Sequence, residues 1–231
     1  MDTELLEILR EIKDMKKVTI SYFTRTHSIS FVEGNKIYAK LLENGYINCE
    51  GAVCAQKVHE AIREVEDEGI KIIFLDVDGV LNCSSTKDKC GYYIGIEDKK
   101  VSLLKEIVNA TNAKIVLVSS WKESWYKEQF FKSHQDILAN YLDSKLNEQG
   151  LTIFDKTEDE IDNRGDGILE YVRHLKWKGV KVDNYIVIDD ELFDYLKTKL
   201  TKNLIQTSFN SGGLQEKHVK KAIGKLNRQQ I

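Results

Sequence analysis

KIIFLDVDGVLN, residues 71–82, is the stretch on which the reading of this 231-residue chain turns. Its apolar run 72–75 is short and rich in β-branched residues, which predicts a buried strand. Asp76 and Asp78 follow at alternate positions, and Gly79 then allows a sharp turn. In extended backbone alternate side chains share a face, so the two carboxylates are expected to approach one centre. Two anions gathered at the end of a buried strand are costly unless a cation or a proton accompanies them. Mg²⁺, with its preference for hard oxygen ligands and phosphate, meets that need. The plain alternative is an acidic turn without chemistry, which leaves the pairing of the charges without a reason.

Working outward, three further segments end in polar residues where a strand is expected to stop. Residues 114–118 form an apolar strand that runs into Ser119-Ser120-Trp121-Lys122. Residues 185–188 form another and end in Asp189-Asp190, for which a helix cap over 191–200 is the simpler alternative. Between them a brief strand over 151–154 leads to a polar turn, and Arg164 stands just ahead of a helix over 168–177. Helices are predicted over 97–109 and 214–226, with one or two more over 123–149 whose apolar stripe includes Phe131, Ile137 and Leu142. A last strand is expected over 203–207. Strands alternating with helices imply an α/β fold, a doubly wound parallel sheet of Rossmann-like type. The acids then gather at the carboxyl ends of strands, where open α/β sheets place their sites.

Residues 74–82 resemble the first motif of the haloacid dehalogenase (HAD) superfamily of phosphotransferases, hhhDxDGxL. The resemblance covers residues 71–226, and all four superfamily motifs occur in order. It implies that Asp76 is the nucleophile and Asp78 the general acid/base, as in phosphatases rather than dehalogenases. It implies that Ser119, with Ser120 as fallback, holds a phosphate oxygen. The run IVLVSSWK further resembles a narrower subgroup found in RNA-repair proteins, with Lys122 in place of an arginine, which keeps the charge but loses a bidentate fork. The third motif supplies one cation, for which Arg164 is the candidate and Lys156 the alternative. The pair Asp189-Asp190 completes a Mg²⁺ site with Asp76 and Asp78, Asp190 as direct ligand and Asp189 behind it. Neither insertion point is long enough for a large cap domain, so the segment 83–95 is expected to be a short flap. The implied activity is Mg²⁺-dependent hydrolysis of a phosphomonoester through an aspartyl-phosphate. Transfer to an acceptor other than water shares every motif. A non-catalytic phospho-ligand binder would be expected to have lost Asp76 or Asp78.

Composition bounds the rest. A hydrophobic content of 42% with no long apolar run predicts a globular chain with a real core and no membrane segment, and nothing at its start reads as a signal peptide. The formal net charge of −3 gives the chain as a whole no electrostatic footprint for nucleic acid. Cys49, Cys54, Cys83 and Cys90 lack CxxC spacing and read as reduced thiols of a cytoplasmic protein rather than a zinc site.

Two domains are expected, 1–69 and 70–231. In the first, Leu5, Ile8, Leu9 and Ile12 form a helical stripe, and Val58 and Ile62 mark a second helix over 53–68. Between them Val18, Ile20, Tyr22, Ile29, Phe31, Ile37, Ala39 and Leu41 alternate, with Glu33-Gly34-Asn35 and Asn44-Gly45 as turns, which predicts a β-meander and a small α+β module. Residues 1–70 hold 9 Lys and Arg against 13 Asp and Glu, leaving a balance of +1 for 71–231. An acidic module is a poor platform for duplex. It is therefore read as a packing or homo-oligomerisation element in preference to a substrate-recognition one. The resemblance to the RNA-repair subgroup and the lack of a large cap imply a nucleotide or nucleic-acid end as the phosphorylated substrate, for which Lys122 and the last helix, with Lys217, Lys220, Lys221, Lys225 and Arg228, offer local positive charge.

Overall fold

The computed structural model describes residues 3–67, 69–127, 129–158 and 163–228. The chain divides into two compact units, Met1–Glu68 and Gly69–Ile231.

The first unit is helical, which corrects the expected β-meander. It consists of α1 (Thr3–Ile12), α2 (Ile20–Thr26), α3 (Phe31–Glu43) and α4 (Ala55–Asp67). Its β structure among the described residues is limited to the isolated bridges Lys17–Ala52 and Ile47–Val53. Local capping overrides the alternating pattern. The Thr19 hydroxyl accepts from Tyr22 N at 3.2 Å and starts α2. Ser30 and Glu33 form a reciprocal capping box that starts α3, so Glu33-Gly34-Asn35 is a first helical turn rather than a hairpin turn. Gly34 sits where a methyl group would come within 2.8 Å of the Thr24 side chain, which lets α2 and α3 approach closely. Asn44-Gly45 ends α3: Asn44 N–H reaches back to Lys40 O and Gly45 adopts φ +69°. Once these segments are helical, Phe23, Leu41 and Val18 join Leu5, Ile8, Leu9, Ile12, Val58 and Ile62 in a core, whereas Phe31 and Val32 remain exposed.

The second unit is built on a five-stranded parallel sheet in the order β5-β4-β1-β6-β7. Its strands are β1 (Ile70–Leu75), β4 (Lys114–Leu117), β5 (Ile153–Lys156), β6 (Val182–Asp189) and β7 (Leu204–Gln206). Strand β1 is central, and its side chains divide between two cores. Ile73 and Leu75 pack against α5 (Asp98–Thr111), α6 (Ile137–Asn147) and α9 (Glu216–Leu226) on one face. Ile72 and Phe74 pack against α7 (Arg164–Trp177) and the short α8 (Phe193–Leu196) on the other. All four are fully buried, each contributing roughly 1.5–3 kcal/mol. A strand buried on both faces must be apolar throughout, which is why the run 72–75 is continuous rather than alternating.

No large cap is present among the described residues. Between β1 and α5 the chain forms only a two-stranded hairpin, β2 (Lys89–Cys90) and β3 (Tyr93–Ile94), in the flap position. Between β4 and β5 it forms two 3₁₀ segments and α6. Phe131 and Ile137, assigned to the buried stripe there, are exposed, whereas Ala139, Leu142 and Leu146 carry the packing. None of the described helices is long and apolar enough to cross a membrane.

Candidate active site

Asp76 lies at the carboxyl end of β1, where its N–H still bonds Ile188 O at 3.0 Å and ties the turn to β6. Gly79 then takes φ +72°, and a Cβ there would fall 2.2 Å from Asp190 Oδ2. Both the conformation and the space thus require glycine. The Thr207 hydroxyl beyond β7 donates to Gly79 O at 2.7 Å, and Gly79 N donates to Asn82 Oδ1 at 3.0 Å, which closes the loop.

The ends of β1 and β6 bring three acids together. Asp76, Asp189 and Asp190 each place a carboxylate oxygen within 4.8 Å of the others. Asp189 is fully buried with its oxygens engaged. Oδ1 accepts from Glu191 N at 2.8 Å, and Oδ2 accepts from Arg164 Nη1 at 2.7 Å and from the Tyr195 hydroxyl. Asp190 is half-buried, with Oδ2 receiving Phe209 N at 3.3 Å. Asp76 Oδ1 is buried and accepts no hydrogen bond among the described residues.

Among the described residues, Arg164 is the cation that reaches these acids. Its Nη1 lies 3.4 Å from Asp76 Oδ1, and its Nε lies 3.8 Å from Asp194 Oδ2. It opens α7, whose N-cap Asn163 accepts from Asp166 N at 2.9 Å. A cation at a helix N-terminus opposes the macrodipole, so its place there rests on the acids it faces. Lys156 turns elsewhere: its ammonium donates to the carbonyls of Lys122 at 2.8 Å and Glu123 at 3.3 Å.

The electrostatics follow from this crowding. Burial and then the charge of Asp189 push the Asp76 carboxyl up to about 8, against the opposing pull of Arg164 and the Ser119 hydroxyl. Burial and Asp189 also raise Asp190. For Arg164, burial disfavours the charge, but Asp76 and Asp189 outweigh it and raise the pKa further. Burial, then Asp189, raises the Tyr195 phenol, which therefore stays a donor.

The three-acid cluster found among the described residues does not include Asp78. The Asp78 side chain is exposed and held from two sides. Asn82 Nδ2 donates to Oδ1 at 2.7 Å, and Trp121 Nε1 donates to Oδ2 at 2.9 Å. The 3₁₀ turn 120–122 after β4 supplies this indole. Ser119 is buried beside Asp76, whereas Ser120 is exposed. Lys122 is buried, and its ammonium donates to Thr157 Oγ1 at 2.8 Å, which in turn bonds Leu117 O.

Trp121, Asn82 and Tyr195 are the site residues that sequence reasoning did not assign. Trp121 reads as core packing, and it is indeed buried, but its N–H donates to Asp78. Asn82 closes the quoted stretch, and an asparagine four residues after an acid at a tight turn is a signal that was there to use. Nothing local marks Tyr195.

Three acids gathered at the carboxyl ends of the adjacent parallel strands β1 and β6, with Arg164 at the start of α7 beside them, fit a HAD domain. The chain belongs to the family described as the HAD domain in Swiss Army Knife RNA repair proteins, whose family model matches residues 72–219. A comparison with curated proteins finds no match.

Proposed function

We propose that this chain is a Mg²⁺-dependent phosphomonoester hydrolase that works through an aspartyl-phosphate on Asp76. The observation that carries the proposal is Asp76 itself, a buried carboxylate with an unsatisfied oxygen, two further acids within reach and one arginine alongside. A buried polar atom without a partner calls for one. A cluster of oxygen donors with no nitrogen or sulfur ligand suits a hard divalent cation. Asp76 and Asp190 would hold Mg²⁺ directly, with Asp189 behind them. When bound, Mg²⁺ supplies positive charge that favours ionised Asp76 and offsets charge on the phosphoryl oxygens.

The chain's own residues account for the rest. Ionised Asp76 attacks phosphorus in line, forming one O–P bond as the bond to the leaving oxygen breaks. Asp78 gives its proton to that oxygen. It then takes a proton from the water that attacks the aspartyl-phosphate, which releases phosphate and restores Asp76. Arg164 and Ser119 bind the equatorial oxygens, and Lys122 adds charge at the end of β4.

A nucleotide or nucleic-acid end is the favoured substrate within this reading, and the surface near the flap supports it. Tyr92 and Tyr93 are exposed on the hairpin, which leans on Ile137 through a 3.6 Å contact from Cys90 Sγ to Ile137 O. Tyr126 and Phe131 lie 5.9 Å apart, and Lys127 lies 4.7 Å from the Phe154 ring. Interleaved aromatic rings and ammonium groups suit stacked bases and a phosphate backbone.

Activity measured with EDTA and then with added Mg²⁺ tests the central claim. Turnover of a phosphomonoester is expected to vanish with chelator and return with Mg²⁺, and Mg²⁺ is expected to raise the melting temperature. Full turnover in chelator, with no metal detected in the protein, would remove the site as drawn.

A further inference from the structure

We propose that Trp121 is a positioning residue that aims the Asp78 carboxylate at the leaving oxygen. This rests on the reading of Asp78 as the general acid. An exposed carboxylate on a flexible side chain rotates freely unless donors hold it, and proton transfer is sensitive to misplacement by about 1 Å, which can cost on the order of 100-fold. Here each oxygen of Asp78 has its own donor, Asn82 on Oδ1 and the Trp121 indole on Oδ2. A carboxylate offers about four lone-pair sites, so two remain for substrate and water.

Both donors are themselves fixed. Asn82 is fully buried and clamped by Gly79 N. Trp121 is buried, its backbone N–H reaches Ser119 Oγ at 3.5 Å, and its ring lies 6.5 Å from that of Tyr141. Tyr141 in turn receives Ile96 N at 3.2 Å and donates to Asp88 Oδ2 at 2.8 Å. The indole is therefore braced between α6 and the base of the flap; the Trp121 backbone reaches Ser119, which lies beside Asp76, and its side chain reaches Asp78 itself. Buried packing alone would be served by phenylalanine. The N–H aimed at the acid is what only tryptophan adds at this distance.

The test compares two substrates with opposite needs for a proton. p-Nitrophenyl phosphate releases a stabilised phenolate, whereas an alkyl phosphate releases an alkoxide that requires protonation. Trp121→Phe is expected to lose at least about 30-fold more kcat on the alkyl ester than on the aryl ester, within the usual span of general acid catalysis. Asp78→Asn is expected to show the same selectivity. Selective loss in Asp78→Asn with equal losses on both esters in Trp121→Phe overturns the positioning role alone. Equal losses in both variants overturn the general-acid assignment, and a wild type inactive on both esters overturns the phosphatase reading. If Trp121→Phe does not fold, the indole N–H resonances of the three tryptophans decide. Assigned by elimination with Trp125→Phe and Trp177→Phe, the Trp121 resonance is expected to move in Asp78→Asn while that of Trp125, bonded to Asp143, stays. An unmoved Trp121 resonance overturns the proposal.

Discussion

At Asp76 burial and chemistry pull in opposite directions, because a nucleophile must be ionised and a carboxylate beside Asp189 in a dry site resists ionisation. The cost has a sign that can be measured. With its folded pKa near 8 and its ordinary value at 3.8, Asp76 in the metal-free protein keeps a proton that the unfolded chain has released. Metal-free stability is therefore expected to fall as pH rises from about 4 to about 8, by on the order of 1 kcal/mol per pH unit from this group, and to level off above. Asp76→Asn removes the titration and the repulsion together. The variant should lose turnover, match or exceed the wild-type denaturation midpoint in EDTA at pH 8, and show a flatter midpoint between pH 5 and 8. A variant turnover within about tenfold of wild type, only ~1.4 kcal/mol of barrier, would reject Asp76 as the nucleophile.

At the scale of elements, the same capping that hid the first unit from its periodicity also holds it together. Ser30→Ala removes the hydroxyl that caps Glu33 N, leaving only the bond from the backbone N–H of residue 30 to Glu33, and is expected to lower the stability of that unit by about 1 kcal/mol. Turnover at Asp76 should be unchanged, and a denaturation curve that does not shift would contradict the cap's contribution. The contrast with the second unit shows what periodicity can carry. β1 was legible because both faces are buried and the run 72–75 is apolar without interruption, which a half-buried strand or helix does not produce. Residues 18–41 mix two periods, and Glu33-Gly34-Asn35 and Asn44-Gly45 serve equally as hairpin turns and as helix start and stop. The acids of the site were legible because each stands at a strand end. The indole of Trp121 was not, since its bond to Asp78 spans 43 positions and depends on how β1 and β4 lie side by side. For the same reason the sequence could name Asp78 beside Asp76 but not show that Asn82 and the Trp121 indole hold its carboxylate.

At the scale of the whole molecule, charge and openness bear on what reaches the site. Residues 1–70 carry −4 and the remainder +1, so no broad field draws in a duplex, and attraction has to come from local groups. The flap is a hairpin with exposed Tyr92 and Tyr93 rather than a domain that encloses a metabolite, and Lys127 lies over the ring of Phe154. On the basic face of α9, Lys225 spends its ammonium on Lys202 O, whereas Lys217, Lys220 and Lys221 are exposed. A short single-stranded oligonucleotide with a 3′- or 5′-phosphate is therefore expected to show a higher kcat/KM than a small sugar phosphate. Two or three lysine contacts to the strand imply a fall of roughly 5- to 20-fold in that value between about 50 and 200 mM salt. The sugar phosphate, with no backbone to neutralise, should change little. If the sugar phosphate is the better substrate and salt leaves both unchanged, the exposed rings serve another partner and the open site accepts small metabolites after all.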